Sequence, residues 1–299
     1  MRSPVALAWS GYLVVALLLL VVLAGPTYPL VVGGGAVLLV IAIGPRSFKW
    51  SPRVRDAVIA VALYAACVGL FSGAFQLVGP EAEMGLFAFF AAGLLLGVLG
   101  PLAHVTWLQG RSLADLGLTR ARLPATMALA LVLAAAQAAI IFPMVRFGAP
   151  TEWLPLLALA ITVGFFEAIF FRAYLVAVFE PMFGLVPAVA TAAGLYAAYH
   201  VGYGMAVDEM LFLAGLGLVY TIAFAVTRNL FVLWPLLTPL GSFFSTVRGG
   251  EITMPMISIL GFVDVLAVMC AAAYLAWRWT RRRPVTRVAT PEPADLLVC

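Results

Sequence analysis

Phe165-Phe166-Glu167-Ala168-Ile169-Phe170-Phe171-Arg172-Ala173-Tyr174-Leu175 sets an acid and a base inside an apolar segment that runs over residues 154–179. A segment that long and that apolar reads as a membrane-spanning helix, because a hydrocarbon core of about 30 Å takes roughly 20 residues at 1.5 Å of rise each. A charge at the bilayer centre costs about 2.5 to 3.5 kcal/mol on insertion scales, so such residues turn inward, find partners and are kept for a function. Further along, Tyr196-Ala197-Ala198-Tyr199-His200 carries one of only two histidines in the chain. These two stretches are the candidate site.

The whole composition agrees with the first stretch. The 299 residues are 65% hydrophobic and 10% charged, with a mean hydropathy of +1.11, whereas soluble domains carry roughly a quarter charged residues. The chain therefore reads as an all-α, polytopic helical membrane protein. Scanning with a window of one bilayer thickness gives about ten spans, at 5–25, 28–44, 57–79, 84–108, 125–147, 154–179, 185–206, 210–227, 230–247 and 257–277. The first is longer than the core of a signal peptide and is read as a retained helix. The second is short and contains Gly33-Gly34-Gly35.

Basic residues give the orientation. Arg2, Arg46, Lys49, Arg53, Arg55, Arg111, Arg120, Arg122, Arg228, Arg278, Arg281, Arg282, Arg283 and Arg287 fall on one face, fourteen of the 17 Lys and Arg. Arg146 and Arg248 fall on the other face, with Glu81, Glu83, Glu152, Asp208, Glu209 and Glu251. By the positive-inside rule, both termini are expected in the cytoplasm of a multi-pass cell-membrane protein. Topology and anionic headgroups thus account for the sequence pI of about 9.1 without a nucleic-acid partner. The expected organisation is a two-helix addition over 1–56, a helical membrane core over 57–283 and a disordered cytoplasmic tail over 284–299, where Pro284, Pro291 and Pro293 alternate with polar residues. Cys67, Cys270 and Cys299 have no metal-type spacing and form no disulfide framework.

Glu167 and His200 are separated by 33 positions, and Pro181-Met182-Phe183-Gly184-Leu185-Val186-Pro187 between them reads as a turn. A hairpin folded at Phe183 or Gly184 has about sixteen residues on each arm, which brings carboxylate and imidazole to the same depth. A carboxylate of that kind can act as a general base, and an imidazole can donate to an oxyanion or shuttle a proton. Arg172 lies about 140° around an ideal α-helix from Glu167, so it is expected to serve an adjacent helix, or Glu180. A structural ion pair, a transporter relay or a packing histidine would use the same residue types; the joint occurrence favours a site.

Glu167-x-x-x-x-Arg172 after Phe166, followed some thirty residues later by Tyr196-x-x-x-His200, resembles the CPBP intramembrane protease family, which includes type II CAAX prenyl endopeptidases and bacteriocin-processing and self-immunity proteins. The linker Gly110-Arg111-Ser112-Leu113-Ala114-Asp115-Leu116-Gly117-Leu118 is similar to the one preceding that family's core, and the likeness spans about 109–250. The resemblance implies a CPBP-like fold in which Glu167 activates water, His200 stabilises the oxyanion or handles the proton, Arg172 orients its surroundings and Tyr196 shapes the pocket. It implies a membrane-associated peptide or protein as substrate. Three departures stand out. Ala168 occupies the place of a second Glu, Tyr196 that of a Phe, and the third motif, His-x-x-x-Asn, has no His. Thr238 and Ser242 keep its spacing and are candidates to supply hydroxyls, although a hydroxyl beside Pro235 and Pro239 also serves to satisfy freed backbone carbonyls. A catalytically inactive relative that binds a membrane partner is therefore the alternative function.

Other polar residues rank lower. His104 matches no motif and is read as structural. Asp264, in the tenth span, is either a site residue or one half of a structural pair, with Arg172 across the bundle as its candidate partner. No metal and no cofactor is expected: Glu167 and His200 are two ligands where catalytic zinc takes three, and no phosphate loop, dinucleotide fingerprint or Gly-x-Ser-x-Gly elbow occurs.

Overall fold

The computed structural model describes residues 4–19, 54–79, 83–249 and 253–282, with scattered positions between 31 and 42. Helix α1 is Pro4–Leu18. Among the described residues seven helices are long and apolar enough to cross a membrane: α2 Val54–Val78, α3 Met84–Leu108, α4 Leu123–Met144, α5 Pro150–Phe183, α6 Leu185–Tyr203, α7 Val207–Thr227 and α9 Ser258–Thr280. A shorter helix, α8, covers Leu237–Gly249.

These seven correspond to the third to eighth and the tenth expected spans. The first expected span is helical as far as it is described, and its end beyond residue 19, most of the second at 28–44 and the tail at 284–299 lie outside the described residues. The ninth differs. Residues 230–247 are not one continuous helix: a 3-10 turn at Leu230–Val232 and an irregular bend precede α8, which is 13 residues long. Pro235 lacks the N–H that a helix interior needs and disfavours helical backbone in the residue before it, so the helix begins beyond it.

Helix α5 is the centre of the bundle. It packs against α3, α6, α7, α8 and α9, and 67% of its most apolar window is buried, against 11% for α9 at the periphery. Its aromatic residues Phe165, Phe166, Phe170 and Phe171 are buried and meet rings from other helices, such as Trp234 on Phe165 at 4.9 Å and Tyr199 on Phe171 at 4.6 Å between centroids. Two helices approach closely at Gly164: a Cβ there would lie 2.9 Å from the Pro239 ring, so the small residue is what lets α8 dock on α5.

The α5–α6 hairpin turns at Gly184, whose φ of 85° favours glycine and whose N–H closes onto Glu180 O at 2.9 Å. Around that turn gather the ends of several helices. His104 of α3 meets Asp56 of α2, Arg111 Nη1 donates to Ala177 O at 3.3 Å, and Arg228 Nη2 donates to Glu180 Oε1 at 2.6 Å. The linker after α3 forms a 3-10 turn at Leu113–Leu116 and reaches the bend after α7, where Leu230 N–H donates to Gly117 O at 2.9 Å. At the opposite end, Gln76 of α2 donates to Val201 O at 2.7 Å.

Asp264 departs from expectation. It is exposed on the outward side of α9 and forms no ion pair with Arg172, which is fully buried. The physical reason is that α9 turns little of its surface inward. Cys67 is buried and Cys270 half-buried, both as free thiols.

Candidate active site

Glu167 ends the regular part of α5. The next seven residues, Ala168–Tyr174, form a π-helical turn, with Leu175 N–H bonded back to Phe170 O. In an i→i+5 pattern, residues five apart come nearly one above the other, so Glu167 and Arg172 share a side of α5, where an ideal α-helix would separate them by about 140°. Such turns inside α-helices are frequent at functional sites. This turn is what brings the two charges to one side of the central helix.

Tyr199 is the residue that closes the site, and it was not singled out from the sequence. It stands on the 3-10 extension Tyr199–Tyr203 of α6, and its hydroxyl donates to Glu167 Oε1. Counted from Gly184, the two arms of the hairpin meet here one residue short of His200. The usable signal was its place between the motif positions Tyr196 and His200. Its ring stacks on Phe171 at 4.6 Å and lies 4.1 Å from the His200 ring, so the acid, the phenol and the imidazole form one contiguous group.

His200 Nδ1 lies 2.9 Å from Tyr196 O. A carbonyl only accepts, so Nδ1 carries the proton, and in the neutral ring Nε2 presents a lone pair. Glu167 Oε2 and His200 Nε2 make no hydrogen bond among the described residues, and neither is a fully enclosed atom. Glu167 is 3% exposed and His200 8%.

Arg172 is 0% exposed. Its guanidinium lies over the Tyr196 ring, 3.5 Å from Cζ to centroid, with the Tyr220 ring at 5.7 Å. That matches service to an adjacent helix; the other expected partner, Glu180, is held by Arg228. Nε, Nη1 and Nη2 of Arg172 have no hydrogen-bond partner among the described residues. Cation–π contact offsets only part of the cost of a buried charge, about 2 kcal/mol or somewhat more when desolvated. The result is a fully enclosed cation whose three nitrogens have no hydrogen-bond partner among the described residues.

The third-motif positions divide. Thr238 is buried, and its hydroxyl donates to Gly164 O at 3.3 Å, one turn before Glu167, with Leu233 O at 3.4 Å. It serves the backbone. Ser242 is half-buried, and its hydroxyl has no hydrogen bond among the described residues. The neighbouring Gly241 abuts Tyr220, whose hydroxyl donates to Gln137 Oε1 at 2.9 Å. Of the six site residues, Glu167, Arg172, Tyr196 and His200 come together around Tyr199, while Thr238 supports α5 from behind.

His104 stands apart, at the end of α3. Its Nδ1 meets the Tyr174 hydroxyl at 2.6 Å and its Nε2 meets Asp56 Oδ1 at 3.1 Å. Among the described residues no three of His, Cys, Asp and Glu gather as a metal set would require.

Residues 149–237 match the Rce1-like family, described as type II CAAX prenyl endopeptidase Rce1-like. No curated protein and no solved structure matches the chain. The matched stretch lies within 109–250 and contains Glu167, Arg172, Tyr196, Tyr199 and His200, but stops before Thr238. Over residues 149–237, this multi-pass helical membrane protein is similar to the Rce1-like group of CAAX protease/CPBP-like proteins.

Proposed function

We propose that the chain is an intramembrane endopeptidase of the Glu/His type that hydrolyses a membrane-associated peptide or protein. One observation carries this reading. At the bundle centre, Glu167 keeps one oxygen free, His200 keeps one ring nitrogen free, and Arg172 is enclosed with no hydrogen-bond partner among the described residues. A structural cluster satisfies its polar groups; unused capacity on three adjacent ionisable residues is what a reacting substrate and water would fill.

In this mechanism the Tyr199 hydroxyl holds Glu167 through Oε1, and Oε2 takes a proton from water. The resulting hydroxide adds to the peptide carbonyl. His200 works at Nε2: as neutral imidazole it accepts the second O–H of the attacking water, and as imidazolium, protonated from solvent before the substrate enters and with Nδ1–H still held by Tyr196 O, it donates to the oxyanion. The protonated Glu167 returns its proton to the departing amide nitrogen as the C–N bond breaks, which restores the carboxylate. Arg172 positions the group electrostatically from the face of Tyr196. Both termini and the arginine-rich loops belong on the cytoplasmic side in this reading.

A second reading has its own support. Thr238 gives its hydroxyl to backbone carbonyls where the family's third motif places a His, and Ala168 replaces a carboxylate. A membrane protein that binds a peptide or partner without cleaving it is consistent with both.

The test is cleavage of membrane-anchored peptides by the full chain in liposomes. Glu167→Gln should lower turnover by about 10²- to 10⁴-fold, the range for loss of a positioned general base, and His200→Ala by a similar factor. Undiminished cleavage in both variants would overturn the assignment. If the wild type retains a peptide without cutting it, and Glu167→Gln retains it equally, the binding reading stands instead.

A further inference from the structure

Away from the Glu167 cluster, a cleft of about 540 Å³ opens between the ends of α2, α3 and α5, lined by Arg55, Asp56, Leu108, Gln109, Arg111 and Pro181. We infer that it binds an anionic glycerophospholipid, with the lipid phosphate on Arg55 and Arg111 and the acyl chains along the apolar rim. The inference does not depend on the peptidase reading.

Charge is the first support. Arg55 has no partner among the described residues. Arg111 uses Nε on Asp115 at 3.1 Å and Nη1 on Gln109 Oε1 and Ala177 O, which orients the guanidinium and leaves Nη2 without a hydrogen bond among the described residues. A planar guanidinium fixed in this way is suited to phosphate oxygens. The one carboxylate in the lining, Asp56, is tied through Oδ1 to His104 Nε2 at 3.1 Å, with Gln109 Nε2 at 3.4 Å from the same ring nitrogen. The acid is thus held by its own partner, and the two arginines face the cleft.

Apolar exposure is the second. Leu108 is 58% exposed and its neighbour Trp107 64%, while Val54 and Val58, on one face of α2 beside Arg55, are 63% and 60% exposed. A Trp beside basic residues at a helix end is the arrangement found at the membrane–water interface, and basic pockets between membrane helices bind anionic headgroups. A free phosphate would use the arginines and ignore the rim; a phospholipid uses both.

The experiment titrates the purified full chain in a neutral detergent with phosphatidylglycerol, phosphatidylcholine and inorganic phosphate, reading bound lipid by native mass spectrometry. Phosphatidylglycerol should bind clearly better than phosphatidylcholine. Arg55→Gln, which removes no hydrogen bond or ion pair among the described residues, should weaken it about 5-fold. Arg55→Gln with Arg111→Gln should weaken it about 30-fold, which is about 2 kcal/mol at 1.4 kcal/mol per decade. Arg55→Lys with Arg111→Lys, which keeps both charges but not the planar fork, should weaken it about 10-fold, less than the double Gln variant, since attraction to the headgroup follows charge while the oriented guanidinium supplies the rest. Equal binding by wild type and Arg55→Gln would overturn the site. Equal binding of the two lipids would remove the charge argument, and displacement of the lipid by inorganic phosphate at millimolar concentration would overturn the lipid as occupant.

Discussion

His104 and His200, the two histidines of the chain, are treated by the bundle in different ways. His104 has a side-chain partner on each ring nitrogen, Tyr174 and Asp56, so its hydrogen-bonding capacity is spent inside the protein. His200 has a backbone carbonyl on Nδ1 and no hydrogen bond on Nε2 among the described residues, beside a carboxylate with one free oxygen and a guanidinium with three free nitrogens. Both residues are buried, so burial alone does not separate a structural histidine from a reactive one. The count of satisfied donors and acceptors differs between them, and on it rests the proposal that His200 takes part in chemistry. For the fully enclosed Arg172 guanidinium, going without hydrogen bonds costs at least about 1 to 3 kcal/mol.

The contrast breaks most visibly at His104. His104→Ala leaves the buried Tyr174 hydroxyl and the Asp56 carboxylate without their shared partner. Asp56 keeps 19% of its side chain exposed and recovers some solvation, so the expected loss is about 3 kcal/mol, the cost of leaving a buried hydroxyl and a partly buried carboxylate without their hydrogen-bond partner. Thermal unfolding in detergent should show it as a lowered midpoint, while cleavage or binding per folded molecule changes less than about 3-fold. A loss of chemistry at unchanged stability would reverse the roles given to the two histidines.

Tyr199→Phe sharpens the other half. It removes the one hydrogen bond that the Glu167 side chain makes among the described residues while retaining the ring stacked on Phe171 and against His200. Loss of a hydrogen bond to a charged group costs about 1.5 to 3 kcal/mol, and with the carboxylate free to turn, turnover should fall by about 10- to 100-fold. A purely structural Tyr199 would lower the unfolding midpoint and leave turnover per folded molecule alone.

What was legible beforehand follows the same division. Long apolar segments declare themselves because the bilayer fixes their length, and α2 to α7 and α9 were readable on that ground. The charges of Glu167 and Arg172 were readable because charge is costly there. The angle between them was not, since the usual 3.6-residue period gives no sign of the π-helical turn at Ala168–Tyr174. Asp264 was misjudged for a related reason: its segment reveals depth in the membrane but not which side of α9 turns outward. Tyr199 was missed because a tyrosine in an aromatic stretch reads as packing until its hydroxyl is seen on Glu167.

Thr238 is where the comparison has its smallest expected effect and its most useful one. The third-motif spacing offered its hydroxyl as a stand-in for a missing catalytic group, yet the hydroxyl points to Gly164 O and Leu233 O, at the seam where α8 docks on α5 beside Pro239. A Pro-bounded helix start frees carbonyls that need donors in an apolar medium, and Thr238 supplies one. Thr238→Val keeps the branched shape and removes that donor, so it should cost about 1 kcal/mol in unfolding, the net worth of one neutral hydrogen bond. Thr238→Ser keeps the donor and should recover most of that loss. Turnover should follow the amount of folded protein in both variants. If Thr238→Val instead abolishes turnover at full stability, the hydroxyl belongs with Glu167 and His200, and α8 contributes to the chemistry as well as to the packing of α5.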